Sequence, residues 1–115
     1  TNLNGDYMSE ALAAQVGGIG VTPGGNVNEE TGRAIFEAAH GTAPTIAGKD
    51  VANPIGLVLS GAMLLDFLGW RDAGDRVRDA VSDVVAAGVG TPDLGLETAV
   101  GTREFGVRVS EAMGR

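Results

Sequence analysis

The sequence predicts an α/β chain that forms part of a larger unit. Three stretches carry helical spacing over a dozen or more residues, and one stretch, "RAIFEAA", reads as a strand of about six residues. The strands are too few to close a sheet of their own, so the missing neighbours are expected elsewhere in a longer chain.

Taken in order, "NGDYMSEALAAQVGG" reads as a loop followed by a helix from Asp6 to Val16. Asp6 near its start complements the helix dipole, and the Gly17–Gly18 pair ends it. "IGVTPGGNVNEETG" reads as a loop with at most one short strand, and "RAIFEAA" follows as the strand. "HGTAPTIAGKDVANP" is a loop with room for one helical turn. "NPIGLVLSGAMLLDFLGW" is a helix, with Asn53 as N-cap and Pro54 at the first helical position. Ile55, Val58, Leu59, Ala62, Leu65 and Leu68 follow the helical spacing, and Leu57, Leu64 and Phe67 make the helix apolar nearly all round, hence central. "DAGDRVRDAVSDVVAAG" is more amphipathic, with Val77, Val81, Val84 and Val85 inward and Asp75, Arg78, Asp79 and Asp83 outward. "VGTPDLGLETAVG" is a loop, and "TREFGVRVSEAM" a last helix.

Composition excludes several classes of function. A net charge of −7 with Lys49 as the only lysine argues against a nucleic-acid footprint. The absence of cysteine excludes disulfides, thiolate metal sites and a cysteine nucleophile. No run is long and apolar enough to span a bilayer. The 115 residues suit one domain or part of one, and a start at Thr1 inside a motif-like stretch reads as a fragment. Nineteen glycines without a G-X-Y period argue for many tight turns or close backbone approaches.

Three motifs bear on chemistry. Asp6 and Glu10 lie four apart, so a helix puts both carboxylates on one face. Hard cations such as Mg²⁺ take such oxygen ligands, but spacing alone equally describes a solvated helix face. Gly18, Gly20 and Gly24 do not open a helix after a strand, so they are a close-packing loop and not a dinucleotide fingerprint. His40, the only histidine, stands in "EAAHGTAP" just past the strand. No Ser–His–Asp order makes it a hydrolase base, and no second histidine makes it a zinc ligand. A flat ring at a strand mouth, followed by Gly41, Thr42 and Pro44, suits a flat ligand whose polar atoms the loop amides and Thr42 bind, although a plain connection has the same composition.

"NLNGDYMSEALAAQVGGIG", "EAAHGTAPTIAGKDVANP" and "VLSGAMLLDFLGW" together closely resemble the carboxy-terminal part of the isocitrate and isopropylmalate dehydrogenases. These are metal-dependent, decarboxylating enzymes that use NAD or NADP. The resemblance implies their three-layer α/β/α fold, which is not a Rossmann fold. Residues 1–17 would end the small domain, which carries the metal site and dimer interface, and residues 18–115 would belong to the large cofactor domain. "NLNGDY" leans towards isocitrate dehydrogenase. Isopropylmalate, homoisocitrate or tartrate dehydrogenase is the alternative within the family, and a non-catalytic regulatory or assembly chain the alternative outside it.

In that family the HGTAP loop holds the adenosine part of the cofactor. Carried over, His40 lies by the adenine, Gly41, Thr42 and Ala43 contact the adenosine and its phosphates, and Asn53 hydrogen-bonds the adenine. Glu37, Pro44, Thr45 and Ile46 complete the cofactor-binding set. Asp6 is implied as a ligand of Mg²⁺ or Mn²⁺, and Glu10 stands where the family has a second metal-binding aspartate. No catalytic acid or base of the family falls within this chain, since Tyr7 and Lys49 sit in other motifs. A hydroxy tricarboxylic or dicarboxylic acid as substrate, a homodimer and a cytoplasmic location follow from the same likeness. NADP-dependent members place Lys–Tyr after HGTAP and a Val before Asn-Pro, whereas this chain has Thr45–Ile46 and Ala52, and Pro92 and Leu96 where a phosphate-holding Tyr and Arg would be. The expectation is therefore a loose preference for NAD, and a preference for NADP would require another cation, Lys49 or Arg103, to read the phosphate.

Overall fold

The computed structural model describes the backbone of residues 2–16 and 18–114, and within them the side chains of all but Asn2, Leu3, Asp6, Ser9, Glu10, Val16 and Ile19. The two expected metal-ligating carboxylates, Asp6 and Glu10, thus lie outside the described side chains. The first helix, α1, spans Asn2–Val16 and so starts four residues earlier than expected. Asn4 and Gly5 are weak helix formers, which is why propensity placed the start at Asp6. Asp6 therefore sits in the second turn and not at the helix mouth. At the far end Gly18, at φ 93°, donates its N–H to the Ala13 carbonyl at 2.8 Å and closes the helix. Ala13 is buried, but Tyr7, Met8 and Leu12 of α1 are each more than 60% exposed.

A 3-10 turn over Ile19–Val21 leads into an antiparallel hairpin of β1 (Pro23–Asn28) and β2 (Arg33–Ala38). β2 is the expected strand, and β1 occupies the stretch read mainly as loop. Pro23, Gly24 and Gly25 disguise it, because proline and glycine are poor strand residues. Here the glycines answer a close approach: a Cβ on Gly24 would lie 2.9 Å from the Glu37 carbonyl, and one on Gly25 3.0 Å from the Phe36 ring. The turn is closed by Asn28, whose Oδ1 accepts the Thr31 N–H at 2.9 Å, and by Gly32 at φ 64°.

α2 runs over Ile55–Phe67 and α3 over Arg71–Ala86. The α2 start lies one residue past the expected one, yet Asn53 does cap it, its Oδ1 accepting the Ile55 N–H at 2.9 Å. Ser60 ties α2 to the hairpin: its hydroxyl lies 2.7 Å from the Glu37 carbonyl oxygen and accepts the Gly24 N–H at 3.2 Å. Phe67 meets Phe36 of β2 with ring centroids 5.7 Å apart, tilted by 56°. Gly56 allows α2 to lie against the loop after α1, since a Cβ there would come within 2.9 Å of the Thr22 carbonyl and 3.0 Å of that of Gly20. The expectation that α2 is central holds on one face only. Leu57, Leu64, Phe67 and Leu68 remain exposed among the described residues.

α3 buries Val77, Ala80, Val81 and Val84, the one-sided stripe expected of its spacing. Arg78 pairs with Asp66 of α2 and, at 2.7 Å, with Asp75. The segment read as a loop holds two two-residue strands, β3 (Val89–Gly90) and β4 (Thr98–Ala99), paired in parallel around a 3-10 turn at Pro92–Leu94. Strands of two residues leave no alternation to read. α4 spans Thr102–Met113 and inserts Phe105 and Val109 into the core, where Ile55, Ala80, Val81, Val84 and Val100 surround them.

Candidate functional site

A cavity of about 790 Å³ opens beside the loop that follows β2. His40, Gly41, Thr42 and Ala43 form one wall, and Ile46 lies at the 3-10 turn Pro44–Ile46 below them. Asn53 lines the floor, and Gly20, Asp50, Asp93 and Arg103 close the remaining sides. Six of the nine residues expected to bind cofactor thus share one cavity. Glu37, Pro44 and Thr45 are not in its wall. Glu37 lies on exposed β2 and contributes its carbonyl oxygen to Ser60.

Two strained backbone positions shape this wall. Ala43 has φ 40° and Asp50 φ 56°, a left-handed region that costs an L-residue with a Cβ roughly 1–2 kcal/mol. Such conformations persist where the surroundings hold them, and they gather at ligand-binding loops. Asp50 is held by α4. Its Oδ1 accepts the Arg103 N–H at 3.0 Å, and its carbonyl oxygen accepts the Thr102 N–H at 3.0 Å. One residue of the loop thereby satisfies two N–H groups that the start of α4 would leave open. The Thr102 hydroxyl completes the joint by donating to the Ala52 carbonyl.

The polar groups of the wall are oriented by hydrogen bonds within the protein. Nδ1 of His40 donates to the Gly41 carbonyl oxygen at 3.0 Å, and Nε2 remains for a ligand. Asn53 is 8% exposed and its amide is largely committed: Oδ1 caps α2, and Nδ2 donates to Oδ2 of Asp93 at 2.9 Å. One Nδ2 proton remains for a ligand atom. Gly20 lies against this pair, where a Cβ would make ordinary contact with Cβ of Asn53 at 3.4 Å and Oδ2 of Asp93 at 3.5 Å. The arrangement can hold a flat heterocycle against His40 and Ile46 and offer N–H groups and Thr42 to oxygen-rich parts of the same molecule. The volume falls in the range of small-molecule sites.

The sequence did not place Gly20, Asp50, Asp93 or Thr102 in the site, and it held Arg103 only as one of two conditional phosphate readers. Among the described residues no cluster of three or more metal-ligating side chains forms, and no helix is long and apolar enough to cross a membrane.

The family model described as isocitrate/isopropylmalate dehydrogenase matches residues 1–109. The chain belongs to the isocitrate/isopropylmalate dehydrogenase family. Among curated proteins it is similar to "Isocitrate dehydrogenase [NADP]" of Streptococcus mutans, 58% identical over 109 residues, covering 91% of this chain and 28% of that protein. It is similar also to the protein of the same name from Staphylococcus aureus, 56% identical over 93 residues, covering 81% of this chain and 22% of that protein. The chain thus spans about a quarter of the length of these relatives. Its fold matches the crystal structure of isocitrate dehydrogenase from Methylococcus capsulatus with a TM-score of 0.89 at 38% identity, over 96% of this chain and 32% of that one. A beta-decarboxylating dehydrogenase from Thermococcus kodakarensis matches with a TM-score of 0.85 at 43% identity, over 98% of this chain and 32% of that one. The expected preference for NAD finds no support here, because the names of both curated relatives carry NADP. The motif comparison behind that expectation rested on Ile46 and Ala52, which line the cavity, and on Pro92 and Leu96, which do not, while Thr45 only loosened it.

Proposed function

We propose that this chain is the carboxy-terminal part of an NADP-linked, divalent-metal-dependent isocitrate dehydrogenase, which converts isocitrate to 2-oxoglutarate and CO₂. The observation that carries the reading is the cavity at the HGTAP loop, in a chain 54–58% identical to proteins named for that activity and cofactor. His40 lies by the adenine, Gly41, Thr42 and Ala43 bind the adenosine and its phosphates through N–H and hydroxyl groups, and the free Nδ2 proton of Asn53 meets the adenine. Ile46 supplies apolar contact, while Glu37, Pro44 and Thr45 act at the edge. Asp6 and Glu10 would hold Mg²⁺ or Mn²⁺, which would supply Lewis acidity, and NADP would supply the hydride acceptor. Residues 1–17 form the end of the small domain, a division supported by the exposed apolar side chains of Tyr7, Met8 and Leu12. A cytoplasmic homodimer belongs to the same reading.

The test is isocitrate-dependent NADPH formation by the full-length enzyme with Mn²⁺. Turnover is expected from the full-length protein and none from the 115-residue chain alone, which lacks the family's acid–base residues. A full-length enzyme that oxidises isopropylmalate and ignores isocitrate would overturn the substrate assignment. Asp6→Asn tests the metal role. Losing an outer-shell partner of a metal costs about 10–100-fold, and losing a direct ligand is expected to cost at least as much in metal-dependent turnover. Unchanged Mn²⁺ affinity and rate would leave Asp6 as a helix residue only.

A further inference from the structure

We infer that Arg103, at the start of α4, is the residue that distinguishes NADP from NAD in this enzyme. The inference deepens the proposed function and rests on its cofactor. The phosphate on the adenosine 2′-oxygen is the only difference between the two dinucleotides. A protein that prefers the phosphorylated form must place a cation or several donors there, because the group carries up to two negative charges. The positions after HGTAP, Thr45 and Ile46, carry no charge, and neither do Pro92 and Leu96.

The cavity wall supplies the answer by inspection of its charges. Arg103 is the one arginine or lysine among the residues that line it, and Lys49 is not among them. The two carboxylates of the wall accept from neutral N–H groups, Asp50 from that of Arg103 and Asp93 from the Asn53 amide, and neither forms an ion pair with the Arg103 guanidinium. The ion pairs formed among the described residues use Arg78 and Arg108, not Arg103. Its backbone is fixed by Asp50, while its exposed guanidinium keeps its five donors for an incoming anion. The position is tied to the cavity wall where α4 is joined to the loop through Asp50 and Ala52.

The experiment titrates the full-length enzyme with adenosine 2′,5′-bisphosphate and with 5′-AMP by calorimetry, so that binding is read without turnover. Wild type is expected to bind the bisphosphate at least about tenfold more tightly than AMP, the size of one charge-assisted contact. Arg103→Ala should lose roughly 10–100-fold for the bisphosphate and change AMP binding by less than about twofold, and Arg103→Lys should recover part of the loss. Equal losses for both nucleotides would show that Arg103 only maintains the pocket and would overturn the inference. So would full retention of bisphosphate binding in Arg103→Ala, or a loss that appears in Lys49→Ala instead. A wild type that does not discriminate between the two nucleotides would overturn the NADP reading itself, and the role of Arg103 with it.

Discussion

Phe105→Ala in the full-length enzyme is expected to destabilise the unit formed by α2, α3 and α4 by about 3–5 kcal/mol. Phe105 is fully buried, and the residues around it come from every element of that unit: Ile55 from α2, Ala80, Val81 and Val84 from α3, and Val109 from its own helix. Removing the ring takes away apolar burial and leaves a cavity that neighbours on three rigid helices cannot fill. The measurement is native-state hydrogen exchange of the α3 and α4 amides, which reports this unit rather than the whole enzyme. Val107→Ala is the control. Val107 lies on the same helix, is 52% exposed, and is expected to change stability by less than about 0.5 kcal/mol. Similar effects of the two changes would mean that the core does not centre on Phe105.

Asn53→Asp is expected to damage both stability and cofactor binding, and to do so more at high pH. The substitution keeps an oxygen to cap Ile55 but replaces the amide that donates to Asp93 with a second carboxylate, about 2.9 Å from the first. Two carboxylates at that distance cannot both ionise without large repulsion. At acid pH one of them keeps a proton and donates in place of the amide, so little is lost. As the pH rises that proton must leave, and the loss grows to about 3 kcal/mol, the low end of the range for an uncompensated buried charge, because Asp93 is exposed. Unfolding midpoints of variant and wild type should therefore diverge from acid to neutral pH. The exchanged pair, Asn53→Asp with Asp93→Asn, restores one donor facing one acceptor and should recover most of the stability, while NADP affinity stays reduced because a carboxylate at position 53 has no N–H for the adenine. A pH-independent difference, or no recovery in the exchanged pair, would show that the contact does not govern the pocket.

The helices and the ligand loop could be read from the chain because each is written in neighbouring residues. The inward stripe of α3 and the Phe105–Val109 face of α4 recur at helical spacing, and the sequence marks β2 as strand. His40 through Ala43 stand together as a motif, and the structure puts all four in one wall. Reading stopped where local chemistry argued against the outcome. Propensity rejected Asn4–Gly5 as helix and Pro23–Gly25 as strand, and both were overruled. In the hairpin the reason is visible: the Glu37 backbone comes too close to position 24 for any Cβ, and the Phe36 ring would have to shift to admit one at 25.

By itself the sequence determined the family, the helical scaffold and the loop that lines the cavity. Tertiary structure alone decided the far side of the pocket. Asn53 bonds Asp93 across 40 positions, and Asp50 holds the start of α4 across 53. No periodicity or propensity links residues so far apart in the chain. They meet because α2, α3 and α4 close around Phe105, and that packing brings Arg103 to the cavity that His40 also lines.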